Sequence, residues 1–135
     1  MAGYSGRVLG DMLGIEEGYR VAVLGAQPHY TTSLGKLPPQ VSLGKKVQGE
    51  KDFLYFFTTS RRELEQRFPA LKSCLAQDGM LWISWPKGSS GVATDLSENV
   101  VREIGLRIGL VDVKVCAVDE TWSGLKFVYR AKDRT

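Results

Sequence analysis

The sequence predicts an α/β fold of three layers: a mostly parallel sheet with helices on both faces and an antiparallel hairpin at its C-terminal end. Three observations predict it. Short apolar runs, Val21 to Leu24, Phe53 to Phe57 and Leu81 to Trp85, have the length and the β-branched or aromatic content of strands covered on both faces. Segments of helical apolar spacing stand between and after them, Leu64 to Leu75 and Leu96 to Ile108. A short polar connection separates the last two strand-like runs, and a link that short implies antiparallel pairing.

Taken in order, Val8, Leu9, Met12 and Leu13 have helical spacing, and Gly14 is placed to end that helix in a left-handed conformation. Glu16-Glu17-Gly18 turns the chain into a first core strand over Tyr19 to Gly25. Thr31 to Leu37 has room for one or two helical turns before Pro38-Pro39 stops them. Val41 to Val47 reads as an edge strand, blunted by Lys45 and Lys46. Asp52 to Phe57 is the central strand. Ser60 and Glu63 have capping-box spacing, so the next helix begins there, burying Leu64, Phe68, Leu71 and Leu75, with a kink expected at Pro69. Gln77-Asp78-Gly79 is the turn into the strand ending at Pro86.

Asp95 and Glu98 repeat the capping spacing and set the following helix start at Thr94 or Asp95. That helix buries Leu96, Val100, Val101, Ile104 and Ile108 and stops at Gly109. Along Leu110 to Val118, Val111, Val113, Val115 and Ala117 point one way while Asp112, Lys114 and Cys116 point the other, as in a half-covered strand. Residues 119–124 then connect to a last strand over Leu125 to Arg130.

At 135 residues the chain forms a single domain, 1–135, with enough length for one sizeable core. Its net charge of +3 contains no run of five like charges, which argues against a dedicated nucleic-acid surface. No stretch approaches 18 apolar residues, and the first 15 residues lack the pattern of a signal peptide, so a soluble, cytoplasmic protein is expected, without a membrane partner. Cys74 and Cys116 fall in separate apolar patterns and read as buried free thiols.

Functional groups gather where the strands end. In open parallel sheets ligands bind beyond the carboxyl ends of the strands, at a switch point in their order. That rule selects Gln27 to Tyr30, Thr58 to Arg61, Lys87 to Asp95 and Asp119 to Trp122. The richest segment is Lys87-Gly88-Ser89-Ser90-Gly91, a cation, two hydroxyls and two glycines ahead of a helix start, which is anion-binding geometry. It lacks the spacing of a phosphate-binding P-loop. The candidate ligand-binding set is Lys87, Ser89, Ser90, Thr58, Thr59, Gln27, His29, Asp119 and Trp122, with Trp122 as a stacking surface. No residue set has metal-ligand spacing, and His29 is the single histidine.

The run from Asp52 to Pro86, with its mid-helix proline, Asp78-Gly79 and Leu81-Trp82-Ile83-Ser84-Trp85-Pro86, resembles the second half of a class I S-adenosylmethionine (SAM)-dependent methyltransferase, a Rossmann-like fold. Almost the whole chain also resembles a family of small uncharacterised bacterial proteins, a domain of unknown function, through Ser84-Trp85-Pro86-Lys87-Gly88-Ser89-Ser90-Gly91 and Asp119-Glu120-Thr121-Trp122-Ser123-Gly124-Leu125-Lys126-Phe127. The resemblance implies a truncated methyltransferase-like fold and brings no activity with it. Methyltransferases follow their first strand with a Gly-rich turn and end the next with an acidic ribose ligand. Here Gly25-Ala26-Gln27-Pro28-His29 stands in the first place, and no acidic residue stands in the second. SAM is therefore expected to bind weakly or not at all, and no cofactor is expected.

Two functional classes follow. One is a non-catalytic binding or regulatory module for an anionic small molecule, with a protein partner or a second copy as further partners. The other is a small transferase in which Lys87 neutralises developing charge and His29 or Asp119 acts as base. The first is favoured, because no pair of nucleophile and base stands out.

Overall fold

The apolar runs that alternate in the sequence become the two faces of one sheet. The computed structural model describes residues 14–25, the backbone of 42–44, and residues 49–118 and 121–133. The strands are β1 (Arg20–Leu24), β2 (Ser42–Gly44), β3 (Lys51–Phe57), β4 (Leu75–Pro86), β5 (Leu110–Ala117) and β6 (Trp122–Tyr129). Helix α1 (Arg61–Cys74) joins β3 to β4, and α2 (Glu98–Ile108) precedes β5. The sheet order is β2-β1-β3-β4-β6-β5. Pairing is parallel from β2 through β4, while β6 is antiparallel to both neighbours. From β1 the chain moves outward to β2, then returns to place β3 on the other side of β1. The topological switch point therefore lies between the carboxyl ends of β1 and β3.

Strand alternation separates the core into two clusters. Leu54 and Phe56 of β3 join Leu81, Ile83 and Trp85 of β4 and Leu125 and Phe127 of β6 on the helix face. There they meet Leu64, Phe68 and Leu71 of α1 and Val101 and Ile104 of α2. Phe53, Tyr55 and Phe57 turn the other way, to Val21, Val23, Trp82, Val118 and Trp122. Trp82 and Trp85 are both core residues, as expected, on opposite faces. The expected helices at 7–13 and 31–37 lie outside the described residues.

Helix α1 starts as predicted: Ser60 is its N-cap, and the Ser60 Oγ accepts from the Glu63 N–H at 3.1 Å. It runs through Pro69 to Cys74 and ends one residue before the expected Leu75, which pairs with Lys51 and opens β4. Leu75 is buried either way, so hydrophobic spacing alone does not distinguish the two assignments. Gln77 to Gly79 forms no separate turn. It is an irregularity inside β4, where the register with β3 slips between the Lys51 and Phe53 pairs.

Helix α2 begins at Glu98, later than predicted, because Ser97 is the N-cap and accepts from the Val100 N–H at 3.3 Å. Leu96 is buried but precedes the helix. The valines of β5 depart from expectation too. A register slip between Asp112 and Lys114 breaks the alternation on this edge strand, leaving Val113 54% and Val115 46% exposed while Cys116 is buried. Asp112 accepts from Arg102 of α2 at 2.8 Å on the helix face. Both cysteines are free thiols, Cys74 half-buried and Cys116 buried, and burial pushes the Cys116 thiol up. The Lys114 and Lys87 charges act in the opposite sense and do not offset it.

Candidate functional site

The described segments at the carboxyl edge include the end of β1, the turn after β3, the long connection after β4, and Val118 and Thr121 of the β5–β6 connection. Gly25 closes β1 with φ 71°, and a Cβ built there would stand 2.3 Å from the Phe57 carbonyl oxygen. Only glycine lets the backbones of β1 and β3 approach so closely at the switch point. Gln27 and His29 of the expected set lie outside the described residues, as do Asp119 and its neighbour Glu120.

After β3, the Thr58 N–H donates to the Ser84 carbonyl at 3.0 Å and anchors the turn to β4. Thr58 is 4% exposed. Its hydroxyl donates to Glu63 Oε1 at 2.5 Å and accepts from the Ser60 N–H at 3.2 Å. Glu63 thus reaches Thr58 instead of the Ser60 N–H that a reciprocal capping box would offer it, and Thr58 serves that N–H in its place. Thr58 shapes the start of α1. Thr59 is exposed, and its carbonyl accepts from the Thr94 hydroxyl at 2.6 Å.

After β4, the Lys87 N–H donates to the Thr121 carbonyl at 2.7 Å, continuing the ladder beyond the Pro86 and Trp122 pair. Gly88–Ser90 is one 3-10 turn. The Ser90 hydroxyl donates to the Lys87 carbonyl at 2.7 Å and accepts from the Val92 N–H at 3.2 Å, so it folds its own loop. Ser89 is exposed. Lys87, Ser89 and Ser90 therefore share one turn, as the motif required. The helix terminus expected immediately behind it does not begin there, since α2 starts only after Ser97.

Asp95, read as a cap for α2, instead accepts from the Arg61 N–H at 2.8 Å and so caps α1. An anionic oxygen is favoured at that place, where unpaired N–H groups meet the positive end of the helix dipole. Trp122 differs most from its expected role. It belongs to β6, is 8% exposed, and packs edge to face on Phe57 with ring centroids 5.2 Å apart. It is a core side chain, not an exposed stacking surface.

Sequence reasoning missed a buried polar link. The Ser84 hydroxyl donates to the Ser123 carbonyl at 2.7 Å, and the Tyr55 hydroxyl lies 3.5 Å from Ser84 Oγ, all between core strands. The signal was available: a serine within the apolar run 81–86 needs a partner, because buried polar groups are hydrogen-bonded. Among the described residues, no group of three or more His, Cys, Asp or Glu is placed to hold a metal ion. None of the described helices is long and apolar enough to cross a membrane.

No protein-family model matches the sequence, and no curated protein matches it. Solved structures do match in fold. A SAM-dependent methyltransferase from Aquifex aeolicus superposes with a TM-score of 0.62 at 16% identity, over 87% of this chain and 85% of that one. The DhpI–SAH complex gives 0.65 at 12% identity, over 92% and 83%. Magnesium protoporphyrin IX methyltransferase (ChlM) from Synechocystis PCC 6803 with bound SAM gives 0.61 at 14%, over 90% and 74%. At these identities the likeness concerns architecture: the chain has a methyltransferase-like α/β fold in a small form.

Proposed function

We propose that the protein is a non-catalytic ligand-binding or regulatory relative of the SAM-dependent methyltransferases, holding an anionic small molecule beyond the carboxyl ends of β1, β3 and β4. The observation that carries this reading is the way the described polar groups of that edge are engaged. Thr58, Ser90, Thr94 and Asp95 bond to the backbone or to a neighbouring side chain and shape loops. Those bonds hold the loops of that edge in fixed positions, which suits a preformed binding edge. Lys87 and the exposed Ser89 then supply a cation and a hydroxyl on one turn. The sequence adds a further cue. Lys45-Lys46 follow β2 directly, where methyltransferase-like and dinucleotide-binding folds carry an acidic ribose ligand. As a feature of the sequence, two lysines in place of an acidic residue favour a phosphate- or carboxylate-bearing ligand over a neutral ribose.

The test is a titration of SAM, SAH, ATP and pyrophosphate, followed by calorimetry and tryptophan fluorescence. The expected result is that a phosphate-bearing compound binds and SAM does not bind at micromolar concentration. Lys87→Ala should then weaken binding by about one to two orders of magnitude, the scale of a lost charge-assisted hydrogen bond. Micromolar SAM affinity accompanied by methyl transfer to any acceptor overturns the reading. Unchanged affinity in Lys87→Ala moves the site away from this turn.

A further inference from the structure

The connection between β4 and α2 is fastened at two places and exposed between them. At its start the Lys87 N–H holds the Thr121 carbonyl at 2.7 Å. At its far end two side chains grip the turn after β3: the Thr94 hydroxyl donates to the Thr59 carbonyl at 2.6 Å, and Asp95 Oδ1 accepts from the Arg61 N–H at 2.8 Å. The Leu96 N–H in turn donates to the Thr94 hydroxyl at 3.1 Å, so the grip leads into the buried Leu96 that anchors α2. Between the fastenings, Gly88, Ser89, Gly91, Val92 and Ala93 are exposed, with Val92 43% exposed. A Cβ built on Gly88 or Gly91 would meet nothing within 4 Å. The hydrogen bonds of this middle part, Ser90 to Lys87 and Val92 to Ser90, are internal to it.

We propose that residues 88–93 form a strap over the carboxyl edge, latched by Thr94 on the turn after β3 and by Asp95 on the first residue of α1, and that releasing the latch opens the edge. The physical argument is one of local stability. A segment with few buried contacts and two exposed anchors opens at a free energy far below that of the whole fold. The latch contacts are individually modest but act on the same few residues, so they rise and fall together. Its consequence for ligands rests on the anion reading above, because the strap carries Ser89 and Ser90 and begins at Lys87.

The Val92–Ala93 bond makes the strap readable, since it lies between the fastenings and elastase cleaves after small aliphatic residues only when the chain can adopt an extended, accessible form. Limited elastase digestion, with cut sites located by mass spectrometry, is compared for wild type, Thr94→Val/Asp95→Ala, and Ser97→Ala. The last variant removes the α2 cap, leaves the latch intact, and reports the effect of a general loss of stability. The double variant should be cut after Val92 about tenfold faster than wild type, the change expected from losing one cap-like contact or more. Ser97→Ala should show no such selective increase. Equal cutting of wild type and double variant, or an equal increase in Ser97→Ala, overturns the latch. Pyrophosphate is then titrated into wild type and double variant by calorimetry. A several-fold difference in affinity supports gating of the edge by the strap, and equal affinity in both overturns gating. Faster cutting of the double variant with no pyrophosphate binding to either protein keeps the latch and removes the anion reading instead.

Discussion

The two ends of the sheet handle polarity in opposite ways. At the amino end, long charged side chains satisfy one another or a helix terminus. Arg20 at the start of β1 donates from Nε to Asp52 Oδ2 at 3.0 Å and from its second guanidinium nitrogen to Glu50 at 3.0 Å. Lys72 reaches the Ile108 carbonyl at 2.9 Å in the last turn of α2, where a cation suits the negative end of the helix dipole. At the carboxyl end the same work is done by short side chains, Thr58, Ser60, Ser90, Thr94 and Asp95, each bonded within one or two residues of a strand end or helix start. Short side chains tie loops to one another tightly because they have little reach. The carboxyl end is therefore the end where loop positions are coupled, and the amino end is where charges are merely paired.

The largest expected effect tests the packing that this coupling rests on. Gly25→Ala places a methyl carbon 2.3 Å from the Phe57 carbonyl oxygen at a positive φ, and backbone cannot yield as a side chain would. Gly49, before β3 at the other end, also has positive φ, 75°, but a Cβ there meets nothing within 4 Å. Urea unfolding should show Gly25→Ala losing about 3 kcal/mol or more, or failing to fold, against about 1 kcal/mol for Gly49→Ala. Similar losses for both would mean that the tight approach of β1 and β3 is not a constraint.

Next in size is Thr58→Val, which keeps the shape and removes both hydrogen bonds of a buried hydroxyl, leaving Glu63 and the Ser60 N–H without their partner. A loss of about 1 to 3 kcal/mol is expected. Its amino-end counterpart, Lys72→Met, keeps the apolar stem and loses the contact with the α2 carbonyl and the cation–π contact with the Tyr129 ring 5.7 Å away, for about 0.5 to 1.5 kcal/mol together. If Lys72→Met proved the costlier of the two in chemical denaturation, the contrast between the ends would be reversed.

These contrasts also show what the sequence could and could not reveal. Strands β1, β3 and β4 were legible because their two-sided burial demands apolar runs, and the hairpin because its connection is short. The start of α1 was legible because its cap is local: Ser60 and Glu63 are three residues apart. Asp95 was misread because its real partner, the Arg61 N–H, is 34 residues away, while a correctly spaced Glu98 offered a local alternative. The start of β6 was hidden by Gly124, which reads as a loop residue. In the sheet it lies against Trp82, whose ring would be 3.2 Å from a Cβ at that position, and so it makes room for a tryptophan on the neighbouring strand. The face of β5 was unreadable, because a register slip is a property of strand pairing and not of residue type. Of the candidate site, the turn that holds Lys87, Ser89 and Ser90 together was legible from their adjacency alone. The roles of Thr58 and Trp122 were not, since both depend on neighbours brought in from other strands.

The smallest expected effect belongs to the amino end and is distinguished by its dependence on pH and salt. Asp52 accepts from the Arg20 backbone N–H at 2.8 Å as well as from the guanidinium. The side-chain bond from Arg20 is the main cause that holds the Asp52 carboxyl below the usual carboxylate range, and burial acts against it. A carboxylate whose folded value is depressed binds protons less readily in the native state than in the unfolded chain. Its contribution to stability is therefore fully present above the unfolded value of about 3.9 and is lost as pH falls through the lower folded value. The difference in unfolding free energy between wild type and Asp52→Asn should be level from pH 7 down to about pH 5 and should shrink as the solution is acidified further. Arg20 stays charged throughout and is half exposed, so 0.5 M salt should also reduce the difference at pH 7. Thr58→Val involves a buried hydroxyl bonded within its own turn, and its cost should be much less sensitive to salt. A difference for Asp52→Asn that persists unchanged at pH 2.5 would show that the carboxylate acts there by shape alone, and the amino end would then resemble the carboxyl end after all.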